Sequence, residues 1–317
     1  MKSDQKLDLK LYRGYVNDQE LVVFGHVFKT LAPDKYLIEA AGFKHAFSVL
    51  RMFNIKPIRN AEVILNFKKI EVSTRTMKDG YFRFSIPFNE YLDSGWHSYV
   101  VSCEWNGMAI VEKGELLKPY KGKLGIISDI DDTFLISHTN NIFRKVYVLL
   151  SRNINRRKIY EDVVPHYKAL SISGREDDGF NSFFYVSSSE WNLYEFITRF
   201  AFLHELPKAI VKLKKLKTGI QDFLFSGRGS HDHKFQKIKD IISFYPKLEY
   251  VLLGDDSQQD PFLYERIVKM YPMNIKAIYI RQISKSKKTD VVEVLKNSEE
   301  MGVATCYFTN SLDAIEH

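Results

Sequence analysis

The chain's 317 residues are too many for one comfortable hydrophobic core, so two domains are expected. With 45% hydrophobic and 27% charged residues it has an ordinary soluble globular composition, and no apolar run approaches the ~20 residues a membrane-spanning helix needs. Two distant cysteines argue against a disulfide framework and for a reducing cytosol, while a formal charge of +7 suits anionic partners: phosphates, nucleic acid or an anionic membrane surface.

In chain order, Met1 to Lys10 is polar and charged, without the apolar core of a secretory signal. Leu21–Phe28, Ala61–Lys68, Tyr81–Phe88 and His97–Trp105 are short, aromatic and β-branched, and partly alternating, so each predicts a strand. Lys78-Asp79-Gly80 supplies a turn before the third. Glu39–Phe53 has helical apolar spacing and reads as an inserted helix. Residues 1–120 are therefore expected to form a β-rich, sandwich-like domain of the kind used for binding or scaffolding, with no identified partner.

The pattern changes at Leu116–Ser128, where Pro119 and two glycines mark a boundary near residue 120. In residues 121–317 apolar runs alternate with helical segments. Leu124–Ser128, Phe183–Ser187, Tyr250–Gly254 and Lys276–Ile280 predict buried strands. Trp191–Leu203, Lys234–Tyr245 and Asp260–Tyr271 predict helices between them. The expected fold is α/β, a parallel sheet covered on both faces, with its site at the carboxyl ends of the strands. Two basic clusters stand out: six basic residues and no acid from Asn141 to Tyr160, and five lysines from Pro207 to Lys217.

Those strand ends share a chemical theme. The first runs into Asp129, Asp131 and Asp132, and carboxylates about 4 Å apart repel by roughly 4 kcal/mol at an effective dielectric near 20. Folding alone gives no reason to gather them. The second strand ends in Ser187-Ser188-Ser189, and the third in Gly254-Asp255-Asp256-Ser257, with Asp260 close behind. Lys234 opens the helix before that third strand. Carboxylates from two strand ends make the hard-oxygen site Mg²⁺ prefers, and a hydroxyl and a lysine beside it can hold phosphate oxygens.

Asp-x-Asp-x-Thr after a buried strand, then a strand-terminal Ser, a Lys and Gly-Asp-Asp, in this order, resembles the haloacid-dehalogenase-like phosphatases over roughly Leu124 to Ile283. The words "GIISDIDDT", "FFYVSSSEWNLY", "LKKLKTGI", "HDHKF" and "FYPKLEYVLLGDDSQQDPFLYERI" are similar to the phosphatidate phosphatase family of the yeast actin-patch protein and its bacterial relatives. That family also carries an N-terminal β-rich region, and "STRTMKDGYFRFSI" resembles a piece of it. Two departures are visible: Glu190 stands where a Pro is expected, and Asp256 where the family more often has Ser.

The resemblance implies a doubly wound parallel sheet with a small helical cap insert, and an aspartyl-phosphate mechanism. Asp129 would be the nucleophile, and Asp131 the general acid and then base. Mg²⁺ would be held by the Asp129 carboxylate, the Asp131 backbone carbonyl and Asp255. Ser187 and Lys234 would bind phosphate oxygens, with Thr133 beside them, although by its chemistry the Thr133 hydroxyl more readily tightens the turn. Asp132 reads as an exposed strand-end carboxylate or a supporting partner. Ser188 and Ser189 compete with Ser187, and Lys237 with Lys234; Asp260 either supports the metal through water or caps the next helix. His231 and His233 fall short of a zinc spacing. Arg228, in the same loop, would suit an anionic substrate.

Between the first two motifs, Phe143, Val146, Tyr147, Leu150 and Ile154 share one helical face opposite Lys145, Arg152 and Arg156. A basic amphipathic cap there would suit a membrane-surface substrate, and an ordinary cap packed on the core has the same pattern. The resemblance favours a lipid phosphomonoester such as phosphatidate, hydrolysed to diacylglycerol by a cytoplasmic enzyme able to meet an anionic membrane peripherally. A soluble nucleotide or other small phosphomonoester is the alternative substrate; no base-stacking motif argues for specific nucleic acid. A scaffold with a vestigial phosphatase fold is the alternative class.

Overall fold

The computed structural model describes residues 6–32, 54–130, 133, 159–214 and 232–317. The helix read over Glu39–Phe53 and nearly all of the cap helix read over Asn141–Tyr160 lie outside them, as do Asp131, Asp132, Arg228 and His231. The described residues divide into two units, the first comprising those up to Pro119 with Glu190–Phe196, the second the remainder.

In the first unit, β1 (Asp8–Leu11), β2 (Gly14–Val16), β3 (Glu20–Phe28), β4 (Glu62–Phe67), β5 (Ile70–Arg75), β6 (Tyr81–Pro87), β7 (Gly95–Trp105) and β8 (Met108–Lys118) form one hydrogen-bonded mixed sheet. Its order is β1-β3-β2-β8-β7-β4-β5, with β6 also paired to β3. Every pairing is antiparallel except β2 with β8. β3, β4, β6 and β7 are the strands whose aromatic and β-branched pattern is plain in the sequence. β5 and β8 escape that pattern because charged residues alternate through them and β5 buries none of its side chains. The expected turn is present: Gly80 has φ of 76°, and a side chain there would collide with the Val27 carbonyl. Val23, Val63, Leu65, Phe82, Phe84 and Val101 are among the residues of its core. Glu190–Phe196 belongs to this unit through close contacts. The Trp191 ring lies 4.1 Å from that of Tyr12, the Tyr194 hydroxyl accepts from the Arg13 amide at 2.9 Å, and Lys10 pairs with Glu195 at 2.8 Å.

The second unit alternates strand and helix: β9 (Leu124–Ser128), α1 (Val163–Ile172), β10 (Ser182–Glu190), α2 (Tyr194–Leu203), β11 (Ala209–Lys214), α3 (Asp232–Phe244), β12 (Glu249–Asp255), α4 (Asp260–Met270), β13 (Ile275–Arg281), α5 (Thr289–Glu300), β14 (Ala304–Phe308) and α6 (Ser311–Glu316). β10 and α2 run across the division between the units. The sheet order is β11-β10-β9-β12-β13-β14, and the pairings from β10 through β14 are all parallel. Counted from β9 this is the doubly wound order 3-2-1-4-5-6. β9, β10, β12 and β13 are nearly fully buried, which is why they read as unbroken apolar runs. β11 and β14 sit at the edges; lysines interrupt the one and the other is mostly half-exposed, so neither is conspicuous in the sequence. The strand order reverses between β9 and β12. In open sheets of this kind the crevice outside the carboxyl ends of those two strands is where ligands bind.

Candidate active site

The register of the sheet sets the site. Ser128, the last residue of β9, pairs with Leu253 of β12 on one side and Tyr185 of β10 on the other. Asp129, Asp255 and Ser187 therefore emerge side by side just past the reversal point. The Asp129 amide donates to the Leu253 carbonyl at 2.9 Å, which carries the β9–β12 ladder one residue further and fixes the Asp129 backbone. Ser128 Oγ lies 2.6 Å from the Tyr167 hydroxyl of α1 and donates to the Asp129 carbonyl at 2.6 Å, bracing the same residue from behind.

Asp129, Asp255 and Asp260 are all buried, and one carboxylate oxygen of each lies within 4.8 Å of the others. Lys234, in the first turn of α3 and 3% exposed, reaches Asp129 Oδ1 at 2.8 Å and donates to Asp260 Oδ1. Burial opposes the lysine's charge, but Asp129 and Asp260 outweigh it and hold its pKa above the usual range. Asp255 is pushed up to about 7, first by burial and then by Asp260 beside it; the Ser257 amide, donating at 2.6 Å, pulls the other way. With all three ionised, the carboxylates against the one ammonium that meets them among the described residues leave the cluster two positive charges short, and each carboxylate pair repels by roughly 3–4 kcal/mol at an effective dielectric near 20. Asp260 Oδ2 is buried and meets no hydrogen-bond donor among the described residues. An all-oxygen donor set with that deficit and that unused oxygen fits a hard divalent cation.

The expected residues fare differently. Asp129, Lys234 and Asp255 are brought together, and Asp131 lies outside the described residues. Ser187 is fully buried and its Oγ accepts from the Ser189 amide at 2.9 Å, whereas Ser188 is exposed. Lys237 donates to the Ser187 carbonyl at 3.0 Å, so the competing lysine braces the serine's strand end. Thr133 is buried, its Oγ1 3.5 Å from Asp255 Oδ2 and its carbonyl accepting from Arg281 Nε at 3.0 Å, both contacts that hold Thr133 itself in place. His233 is exposed and belongs to no cation-binding grouping among the described residues.

Asp260 carries more than its helix-start position suggests. It opens α4 yet spends its carboxylate on Lys234 and the cluster. The signal is the glycine of Gly-Asp-Asp: a Cβ at Gly254 would stand 2.7 Å from Asp260 Oδ2 and 2.8 Å from its Cβ. Asp256 turns away from the cluster. It accepts from the amides of Ile283 and Ser284 at 2.7 and 3.1 Å, from the Ser284 hydroxyl, and from the Tyr307 hydroxyl at 2.7 Å. Burial alone would raise its pKa; these donors outweigh burial and lower it. Neighbouring aspartates thus do different work, Asp255 in the site and Asp256 pinning the loop after β13.

A family model described as "Phosphatidate phosphatase APP1, catalytic domain" matches residues 124–282. Phosphatidate phosphatase APP1 of Saccharomyces cerevisiae is 29% identical over 169 residues, covering 51% of this chain and 26% of that protein. The chain thus spans about a quarter of the length of that curated relative. Among solved structures, a carbohydrate acetylesterase of Xanthomonas citri overlaps 93% of this chain and 74% of its own at 10% identity, with a TM-score of 0.31. A Parabacteroides merdae β-glucuronidase overlaps 95% and 40% at 8% identity, with a TM-score of 0.29. Nothing about fold or function follows from overlaps that loose.

Proposed function

The chain belongs to the phosphatidate phosphatase APP1 catalytic-domain family, and from that premise we propose that it is a Mg²⁺-dependent phosphomonoesterase acting on a lipid phosphate, phosphatidate being the first candidate. The carrying observation is the buried cluster of Asp129, Asp255 and Asp260 with Lys234, at the point where the strand order reverses. A vestigial site would have no reason to keep three buried carboxylates short of positive charge.

In this proposal an Asp129 carboxylate oxygen attacks phosphorus, the P–O ester bond breaks, and Asp131 protonates the departing alkoxide. Asp131 then takes a proton from the water that hydrolyses the aspartyl-phosphate. Lys234 orients Asp129 while neutralising phosphate oxygens, which Ser187 and Thr133 help to hold. Asp129, Asp255 and the Asp131 carbonyl would hold Mg²⁺, with Asp260 supporting; the ion supplies charge neutralisation between two anionic reactants. The proposal carries a haloacid-dehalogenase-like fold over residues 121–317 with the segment after Asp129 as cap. It treats residues 1–120 as a sandwich-like domain, supported by contact between β5 and β6, which are distant along the sheet order. A cytoplasmic location with peripheral access to anionic membrane accords with a lipid substrate; among the described residues no helix is long and apolar enough to cross a membrane.

The test is phosphate release from phosphatidate in mixed micelles, lysophosphatidate, nucleotides, sugar phosphates and an aryl phosphate. Asp129→Asn and EDTA are each expected to reduce release from every active substrate at least 1,000-fold, on the order of removing a covalent nucleophile or its metal. Preference for a soluble nucleotide would replace the lipid reading; release unaffected by either treatment would overturn the mechanism.

A further inference from the structure

Arg281 is the last residue of β13, and its backbone pairs with Asp255 across the β12–β13 ladder. It is 2% exposed. Its Nε donates to the Thr133 carbonyl at 3.0 Å, one terminal nitrogen to Ser311 Oγ at 2.7 Å, and the other to the Thr309 carbonyl at 3.5 Å. The guanidinium also lies 4.4 Å from the Tyr160 ring centroid and 4.8 Å from that of Phe308. Among the described residues no carboxylate forms an ion pair with it. A buried cation with no ion pair among these residues is costly even with the Asp255 charge nearby, and an apolar side chain of similar volume would serve packing alone better. What the guanidinium adds is a rigid fork that a point charge lacks, and here the fork reaches three separate stretches of chain. One is Thr133, four residues after Asp129. Another is the return of the chain at Tyr160, and the third is the turn before α6, through Thr309 and Ser311.

We propose that Arg281 is a positioning residue of the phosphatase reaction, a buried clamp that sets the turn following Asp129 from the far side of Asp255. The proposal rests on the phosphatase reading. Its consequence is that the alignment of the Asp129 turn depends on a side chain from the strand beyond Asp255, and on a geometry that lysine cannot reproduce.

The experiment compares wild type with Arg281→Lys, Arg281→Met and Ser311→Ala, using Mg²⁺ and an aryl phosphate, with kcat and KM determined separately and folding checked by circular dichroism. Both Arg281 variants are expected to lose at least 30-fold in kcat with KM changed less than threefold, and Ser311→Ala to lose about threefold. A folded Arg281→Lys whose kcat stays within twofold of wild type would overturn the proposal. Should Arg281→Met fail to fold, Arg281→Lys and Ser311→Ala decide the matter. Amide hydrogen exchange gives an answer that needs no activity. Exchange in Asp129–Thr133 is expected to quicken at least tenfold in Arg281→Lys while Leu21–Phe28 stays unchanged. Equal exchange in Asp129–Thr133 would also overturn the proposal, and inactivity of the wild type would instead count against the phosphatase reading.

Discussion

At the scale of single residues, the site depends on glycine as much as on acid. Gly254 admits the Asp260 carboxylate and the Tyr264 ring to the same few ångströms, the ring edge standing 2.9 Å from where a Cβ would be. Gly254→Ala must push Asp260 out of the cluster. Forcing a methyl into packed surroundings costs roughly 1–3 kcal/mol, so the denaturant midpoint should fall. The stabilisation gained on adding Mg²⁺, read as a thermal shift, should shrink more than the midpoint does; an undiminished Mg²⁺ shift would show that Asp260 is not needed for the cation. Asp129, Ser187, Lys234 and Asp255 were legible in the sequence because each abuts an apolar run or opens a helix. Asp260 and Arg281 were not, since an acid at a helix start reads as a cap and an arginine after an apolar strand reads as solvent-exposed. Only the fold reveals that both are buried.

At the scale of elements, two histidines held neutral inside packed layers make a pH signature. His26 of β3 lies against Tyr12, Phe28 and Tyr81, with its Nδ1 2.9 Å from the Tyr12 hydroxyl. Burial lowers its pKa to about 4, Asp79 opposing weakly. His166 of α1 is packed against Tyr167, Tyr279 and Phe308, and burial, then Arg281, lowers it likewise to about 4. A folded-state pKa below the unfolded value near 6.5 favours the fold while the ring is neutral. That contribution is complete above pH 6.5 and is lost as pH falls toward 4, at roughly 3 kcal/mol for each ring when fully developed. Asp255, raised, runs in the opposite sense, so the informative quantity is a difference. Between pH 6.5 and 4.5, unfolding free energy should fall less steeply in His166→Phe than in wild type; parallel profiles would mean that His166 does not titrate with unfolding. Element existence was legible where a long strand is buried on both faces, as in β9 and β12, and failed at the edges: charges interrupt β5 and β11, and β14 is mostly half-exposed.

At the scale of the whole molecule, the sequence suggests a cut near residue 120, while the first unit also includes Glu190–Phe196. A chain beginning at Tyr120 would leave Trp191 without the rings of Tyr12 and Phe24, and Tyr194 without the Arg13 amide. Burying an aromatic side chain of that size contributes roughly 2–3 kcal/mol. The shortened chain is therefore expected to unfold at a clearly lower temperature than the full chain or to aggregate, and scanning calorimetry would decide. An unchanged upper transition would show that the remainder is self-sufficient. The strand order was beyond the sequence because periodicity reports which residues are buried and says nothing about which strands become neighbours. β9 pairs with β12, after the two intervening strands, β10 and β11, have been laid to one side.

That pairing sets a timetable for the protein as it is made. At the usual ~5–20 residues per second of synthesis, the roughly 100 residues from Asp129 to Lys234 take about 5–20 s to appear. Throughout that interval β9 has no β12 to cover its second edge, and the acidic strand end has no lysine to quiet it. The stretch that becomes the centre of the finished sheet is thus, on the ribosome, an unfinished apolar edge beside an unmet charge. Helper proteins that shield nascent chains would have most to gain there, and slowing translation between β10 and α3 would lengthen the exposure.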